Sequence, residues 1–96
     1  MPRKKNPSIS IFFPCYNDSK TISSLISQAR KVAKKITSNY EIIVIDDGSQ
    51  DESPEILKKL TRKNKRLKVV FHKKNKGYGG ALISGFKKAS KNLIFY

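Results

Sequence analysis

The chain repeats one pattern three times: a short apolar run, a polar turn and a stretch with helical periodicity. In the first repeat, the apolar run 9–13 and its turn are followed by apolar residues three or four positions apart between Ile22 and Ile36. That spacing places the apolar side chains on one face of a helix. Asp18 or Ser19 is suited to cap this helix, because its side-chain oxygen can accept an unpaired backbone N–H.

The later repeats predict two further strand–helix units. Four consecutive β-branched residues at 42–45 show no alternation, which is typical of a strand covered on both faces. Their helix is predicted to begin near 53–55, where Pro54 suits the first turn. After a third run at 67–71 and a loop rich in Lys and Gly, a third helix is predicted that carries the apolar residues Leu82, Ile83, Phe86 and Ala89.

Strands that alternate with helices of this length indicate an α/β fold: a three-layer, mostly parallel sheet with helices on both faces. We expect two parts, a basic N-terminal tail at 1–8 and a single domain at 9–96. The last apolar run, 93–96, coincides with the end of the chain. Because a buried strand normally turns back into further structure, this predicts a domain truncated after its fourth strand.

The charge of the chain suggests a partner but does not identify one. Twenty-one Lys and Arg residues against seven Asp and Glu residues give a formal net charge of +14. A polyanion partner and a solvated lysine-rich surface both fit this charge. The lysines are spread along the chain, which favours the solvated surface and argues against nucleic acid as a partner. Cys15 is the only cysteine, so no internal disulfide can form.

No targeting segment is recognisable in the sequence. The apolar stretch after residue 8 is too short for a signal-peptide core, and no window is long enough to span a membrane. The cytoplasm is therefore the default compartment.

Candidate chemistry lies where polar residues directly follow apolar runs. Ligands of open parallel sheets bind beyond the carboxyl ends of the strands, which directs attention to 14–18 and 46–49. Residues such as Asp-Asp-Gly-Ser at 46–49 are also ordinary turn formers, and taken alone they indicate only a strand–turn–helix connection.

These segments resemble the signature of family 2 glycosyltransferases. Phe-Pro-Cys-Tyr-Asn at 13–17 and Ile-Asp-Asp-Gly-Ser-Gln-Asp at 45–51 follow the first two strands, and Asn-Lys-Gly-Tyr-Gly-Gly-Ala at 75–81, with Gly85, matches the family's next segment. The likeness is strongest to polyprenyl-phosphate sugar synthases of the dolichyl-phosphate mannose type. It covers about 9–96, and the order and spacing of the segments make it more specific than any single motif.

The resemblance implies the nucleotide-binding half of a GT-A, Rossmann-like domain. Pro14 and Tyr16 are expected to line the base pocket, where a tyrosine ring can stack on the base. Asp47 is expected to accept a hydrogen bond from the base edge, with Ile45 two residues earlier on the same side of the strand. Asp18 stands where the synthases usually carry Glu.

Family members bind Mg²⁺ or Mn²⁺ through an Asp-x-Asp motif that follows the strand corresponding to 93–96. The chain ends before such a motif, so no metal ligands are recognisable here and the isolated chain is expected to be inactive. The resemblance implies a UDP- or GDP-linked sugar as donor and a polyprenyl phosphate as a plausible acceptor. Two alternatives stay open: a basic module that binds nucleic acid or an anionic surface, and a non-functional fragment that pairs through its exposed fourth strand.

Overall fold

The computed structural model describes residues 7–96, in which four strands alternate with three helices. The elements are β1 Ile9–Cys15, α1 Ile22–Ile36, β2 Tyr40–Asp46, α2 Ser53–Lys63, β3 Leu67–Phe71, α3 Gly77–Lys88 and β4 Leu93–Phe95. The predicted α/β fold class is confirmed. Most of the predicted tail 1–8 lies outside the described residues, so the division into tail and domain stays a prediction.

The four described strands form one parallel sheet in the order β3-β2-β1-β4. The chain moves in one direction from β1 to β3, and α3 then carries it back to the far side of β1. Right-handed crossovers therefore place α1 and α2 on one face of the sheet and α3 on the other. The change of direction lies between β1 and β4, which is the position where open parallel sheets commonly bind ligands.

The core is built around β2, whose seven residues are all buried. Its side chains alternate between the two faces: Ile42 and Val44 pack with α1 and α2, while Ile43 and Ile45 pack with α3. Both faces of the strand need apolar residues for this reason, and the prediction made from its continuous apolar run is confirmed.

The start of α1 differs from the prediction. Its N-cap is Thr21, and no side chain caps the helix. The backbone carbonyl of Asp18 accepts the N–H groups of Thr21 and Ile22 instead, at 3.0 Å each. A tight turn of backbone hydrogen bonds therefore replaces the side-chain cap expected from Asp18 or Ser19.

Helix α3 packs on the sheet through small residues. Ala81 and Gly85 are its buried positions, whereas the larger apolar residues Ile83 and Phe86 are exposed. A Cβ atom placed on Gly85 would overlap the ring of Phe12 on β1. The close approach of helix and sheet therefore turns the larger residues to the side, where the ring of Phe86 meets that of Phe12 edge-on, with centroids 5.1 Å apart.

A buried carboxylate joins the amino ends of the strands. Glu41 accepts hydrogen bonds from Lys68 Nζ at 2.6 Å, Ser10 Oγ at 2.6 Å, and the backbone and side chain of Ser90 at 2.7 and 2.9 Å. Burial opposes ionisation of Glu41, but the Lys68 ammonium and the serine donors outweigh it and lower its pKa to about 2. This carboxylate therefore links β1, β3 and the loop before β4.

The packing of α3 predicts opposite effects for two glycine substitutions in that helix. Gly85→Ala should lower the free energy of unfolding by about 1–3 kcal/mol, because the new methyl group displaces Phe12. Gly79→Ala meets no atom within 4 Å and should stabilise the chain by up to about 1 kcal/mol through helix propensity. Urea denaturation of both variants measures this difference, and equal effects would contradict the close contact.

Glu41 predicts a pH dependence of stability. Its pKa is lower in the folded chain than its ordinary value of 4.5, so its contribution is complete above that value and is lost as the pH falls toward 2. By linkage this contribution is roughly 3 kcal/mol. The stability difference between the unmodified chain and Glu41→Gln should therefore shrink between pH ~7 and pH ~3 in urea titrations. A difference that stays constant would show that the ionised form is not favoured by folding.

Candidate functional site

Three loops meet at the carboxyl edge of the sheet, after β1, β2 and β3. They lie side by side because these strands are neighbours in the sheet. The loop after β1 is joined to the loop after β2 by Asp47 N–H to the Cys15 carbonyl at 2.9 Å and by Ser19 N–H to Asp51 Oδ2 at 3.1 Å. The same two loops line a pocket of about 540 Å³, bordered by 17–21, Gln50 and Asp51.

Asn17 joins these two loops through two hydrogen bonds. Its backbone N–H donates to Ser49 Oγ at 2.9 Å, and its Oδ1 accepts the N–H of Gln50 at 2.8 Å. Asn17 has a positive φ of 53°, a conformation that asparagine tolerates better than most residues. The tip of the β1 loop is thus held in place by the turn after β2.

The residues predicted from the β1 loop lie at this edge. Pro14 is exposed at the end of β1, and the side chain of Tyr16 is 46% exposed. The Asp18 carboxylate accepts the Tyr16 N–H at 3.2 Å. Asp18 therefore supports the backbone that carries Tyr16, and the tyrosine ring offers a flat surface to solvent.

Ile45 occupies a different environment from the other predicted residues. It is 0% exposed and packs with Phe12, Ile43 and Ala81 beneath α3. In this structure its side chain supports the site from below and has no surface open to a ligand.

Asp47 is buried at the end of β2, and its carboxylate is held by three donors. Oδ1 accepts from His72 Nδ1 at 2.7 Å and from Lys76 N–H at 2.8 Å, while Oδ2 accepts from Gly77 N–H at 2.9 Å. Burial opposes ionisation of Asp47, but these donors outweigh it and keep its pKa below the usual value. The carboxylate thereby fixes the start of α3 against the sheet.

His72 pairs with Asp47, a contact that no motif in the sequence predicts. Its ring is buried, its backbone N–H donates to the Asp46 carbonyl at 2.8 Å, and its Nε2 lies 2.6 Å from Ser84 Oγ on α3. The available signal was position: His72 directly follows β3 as Asp47 follows β2, and the carboxyl ends of neighbouring parallel strands lie together.

Cys15 takes no part in a nucleophile–base pair with His72. It is fully buried against the α1 side of the sheet, and burial raises the pKa of its thiol.

The glycine of the Asp-Asp-Gly-Ser turn allows the second and third loops to approach each other. Gly48 has a φ of +77°, and a Cβ at this position would lie 2.8 Å from the Asn75 backbone nitrogen. The loop that it contacts carries the exposed side chains of Lys73, Lys74 and Lys76. Positive charge therefore lies at the same edge as Tyr16 and Asp47.

The described residues do not supply a ligand set for a divalent cation. Within 7–96, no three His, Cys, Asp or Glu side chains are grouped as metal ligands. The Asp46 Oδ1 atom, buried without a hydrogen-bond partner among these residues, is a single donor oxygen, whereas such a cation takes six or more oxygen ligands.

The two edges of the sheet differ in charge. Nine Lys and Arg residues lie in the last helical turns or the loops that follow them, at the amino edge: Lys34, Lys35, Arg62, Lys63, Lys65, Arg66, Lys87, Lys88 and Lys91. Among the acidic residues only Glu41 lies toward that edge, where it is buried and paired with Lys68. The topology therefore gathers lysines that are scattered in sequence onto the edge opposite the three loops.

Comparison with protein families gives a match over nearly the whole chain. The family model described as Glycosyl transferase family 2 matches residues 10–96. Undecaprenyl-phosphate 4-deoxy-4-formamido-L-arabinose transferases are similar in sequence. The one from Yersinia enterocolitica is 34% identical over 92 residues, covering 95% of this chain and 28% of the relative. The one from Aeromonas hydrophila is 31% identical over 87 residues, covering 90% and 27%. The chain thus spans little more than a quarter of these relatives.

Two solved structures share the fold. A mannosyltransferase from Pyrobaculum calidifontis, in complex with GDP-Man and Mn²⁺, has a TM-score of 0.81 at 18% identity, covering 94% of this chain and 26% of that one. TarS from S. aureus, residues 1–349, has a TM-score of 0.73 at 29% identity, covering 93% and 26%. The architecture of residues 7–96 is therefore that of the corresponding part of these two structures.

The geometry of Asn17 predicts that two substitutions differ in cost. Asn17→Gly keeps the positive φ and loses the bond to Gln50, so it should lower the unfolding free energy by about 1 kcal/mol. Asn17→Ala loses the same bond and keeps a Cβ in the left-handed region without the polar side chain that lets asparagine tolerate it, so it should cost about 1–2 kcal/mol more than Asn17→Gly. Urea denaturation measures both values. Equal losses would contradict the conformational role of Asn17.

Proposed function

Because the chain belongs to glycosyl transferase family 2, as predicted from its sequence, we propose that residues 7–96 bind the nucleoside diphosphate of a sugar donor at the carboxyl edge of the sheet. Transfer of the sugar to an acceptor is then the activity of the protein of which this fold is a part. The observation that carries the proposal is the meeting of the loops after β1, β2 and β3 around Tyr16 and Asp47.

The chemistry of these loops suits a nucleotide. The exposed ring of Tyr16 can stack on a base, beside exposed Pro14 and next to the point where the strand order reverses. Asp47 uses three of the roughly four acceptor positions of a carboxylate, which leaves one on Oδ2 for an N–H group at a base edge. Uracil and guanine both carry such a group. Ile45 would support this site from beneath.

The relatives suggest the classes of donor and acceptor. The mannosyltransferase of similar fold was solved with GDP-Man, and the similar sequences are named undecaprenyl-phosphate 4-deoxy-4-formamido-L-arabinose transferases. We therefore infer a UDP- or GDP-linked sugar as donor and a polyprenyl phosphate as acceptor. The structure of the mannosyltransferase also contains Mn²⁺, so a divalent cation is proposed for the whole protein, held by residues other than those described here.

A lipid acceptor would place the reaction at a membrane surface. None of the helices within 7–96 combines the length and apolar character that a membrane crossing requires. The cytoplasm predicted from the sequence is kept as part of the proposal, with the reaction at the cytoplasmic face of the membrane.

Binding of a polyanion is a second candidate function. It is favoured by the nine basic residues at the amino edge, which no exposed acidic side chain offsets there. Basic residues in the last turn of a helix also interact favourably with the helix dipole, which accounts for part of this pattern without a ligand. The two candidate sites lie at opposite edges of the sheet, so one titration can separate them.

The nucleotide proposal predicts the effect of changing Tyr16. Tyr16→Ala should weaken binding of the preferred nucleotide by about tenfold to a hundredfold, because a stacked base is worth about 1–3 kcal/mol. Tyr16→Phe keeps the aromatic face and should bind within about twofold of the unmodified chain. Amide NMR titrations with UDP and GDP measure these affinities. Asp47→Ala should also weaken binding, but it releases α3 as well and is the less specific test.

A charge variant provides the matched control. Replacing Arg62 and Lys63 with Ser should leave nucleotide binding unchanged, since both lie at the amino edge. Titration of a short oligonucleotide at two salt concentrations tests polyanion binding, the second candidate function. Salt-sensitive shifts at the amino edge, lost in this variant and without any nucleotide-specific shifts near Tyr16, would replace the proposed function with polyanion binding.

A further inference from the structure

The hydrogen bonds around His72 connect three elements of the fold. Its ring lies between Asp47 at the end of β2 and Ser84 on α3, with Nδ1 2.7 Å from Asp47 Oδ1 and Nε2 2.6 Å from Ser84 Oγ. The side chain is 4% exposed. Because both ring nitrogens have partners and burial leaves little room, the ring has one orientation.

The chemistry of Asp47 sets the tautomer of this ring. The Asp47 carboxylate already accepts two backbone N–H groups, from Lys76 and Gly77, an arrangement that favours the ionised form. An ionised carboxylate can only accept, so Nδ1 of His72 must carry the hydrogen that it donates. In the neutral ring Nε2 is then the acceptor, and the Ser84 hydroxyl donates to it.

We infer that His72 is a positioning residue for nucleotide binding, acting through Asp47 and held in turn by Ser84. The inference rests on the proposed function, since the ligand is the nucleotide of the sugar donor. His72 occupies Oδ1 of the carboxylate and fixes the plane of the group. The remaining acceptor position on Oδ2 is thereby aimed in one direction, toward a base that offers an N–H group.

This role makes the base preference depend on a residue that does not touch the base. Without His72, the buried Asp47 carboxylate loses one of its donors and can rotate about its side-chain bonds. Its backbone donors also restrain the start of α3, so the rotation would disturb the loop 72–77 that borders the site. Ser84 acts one step further away, by keeping the ring from turning.

Two substitutions of His72 separate the effect of its hydrogen-bond donor from the effect of its side-chain volume. Asn places an amide N–H close to the position of Nδ1, so His72→Asn should keep the bond to Asp47 and retain nucleotide binding. His72→Leu keeps much of the volume and provides no donor. It should weaken binding of UDP or GDP by about tenfold, in keeping with the loss of one hydrogen bond to a charged group. His72→Leu that folds and binds like the unmodified chain would overturn the inference.

The imidazole spectrum provides a test that does not need a ligand. His72 is the only histidine of the chain, so a long-range ¹H–¹⁵N spectrum of the full chain reports on it without assignment. We expect the Nδ1–H tautomer in the unmodified chain, because Nδ1 donates to the Asp47 carboxylate and Nε2 accepts from Ser84. An Nε2–H ring in the unmodified chain would contradict this hydrogen-bond arrangement and overturn the inference. Because this test uses the unmodified chain, it holds even when His72→Leu does not fold.

The failure of this inference and the failure of the proposed function have different signatures. If the unmodified chain bound neither UDP nor GDP, the proposed function would be contradicted and the role of His72 in binding would fall with it. If the unmodified chain bound a nucleotide and His72→Leu bound it equally well, only the role of His72 would be contradicted.

Discussion

The complete burial of β2 is the constraint on which the rest of the structure depends. All seven of its residues are covered, with α1 and α2 on one face and α3 on the other. A short domain buries only a modest fraction of its apolar surface, so the central strand must supply apolar side chains to both helical layers. The polar residues that follow β2 consequently lie in one fixed place, between the loops that follow β1 and β3.

At that place the buried Asp47 carboxylate holds the loop after β3 and the start of α3 against β2. An unpaired carboxylate in this position would be costly, and Asp47 avoids that cost through donors from His72, Lys76 and Gly77. At the opposite edge Glu41 has the same function, with Lys68, Ser10 and Ser90 as its donors. Asp47 thereby links the end of β2 to the start of α3. Glu41 links β2 to β1, to β3 and to the loop before β4. The candidate nucleotide site is therefore built on a rigid support, and Pro14, Tyr16 and the lysines of the third loop are open to solvent.

The division of charge gives the molecule two chemically different ends. The loops after the strands combine an exposed aromatic ring, a partly satisfied carboxylate and a few lysines, a mixture that suits a nucleotide. The opposite edge carries lysines and arginines at the ends of all three described helices. A basic helix end is favourable in itself, so the net charge of +14 need not indicate a nucleic-acid partner.

The sequence by itself determined the fold class, the order of the elements and the family, because apolar periodicity and motif spacing are local properties of the chain. It also located Pro14, Tyr16 and Asp47 at the ends of strands. Only the tertiary structure decided that Ile45 lies in the core, that Thr21 rather than Asp18 or Ser19 is the N-cap of α1, and that Gly85 is buried against Phe12 while Phe86 stays partly exposed beside it. Only the tertiary structure, too, joined His72 to Asp47 and Ser84 and gathered nine of the scattered Lys and Arg residues at one edge. These features depend on which strands are neighbours and how closely α3 approaches β1, and such contacts between distant residues leave no periodic signal in the sequence.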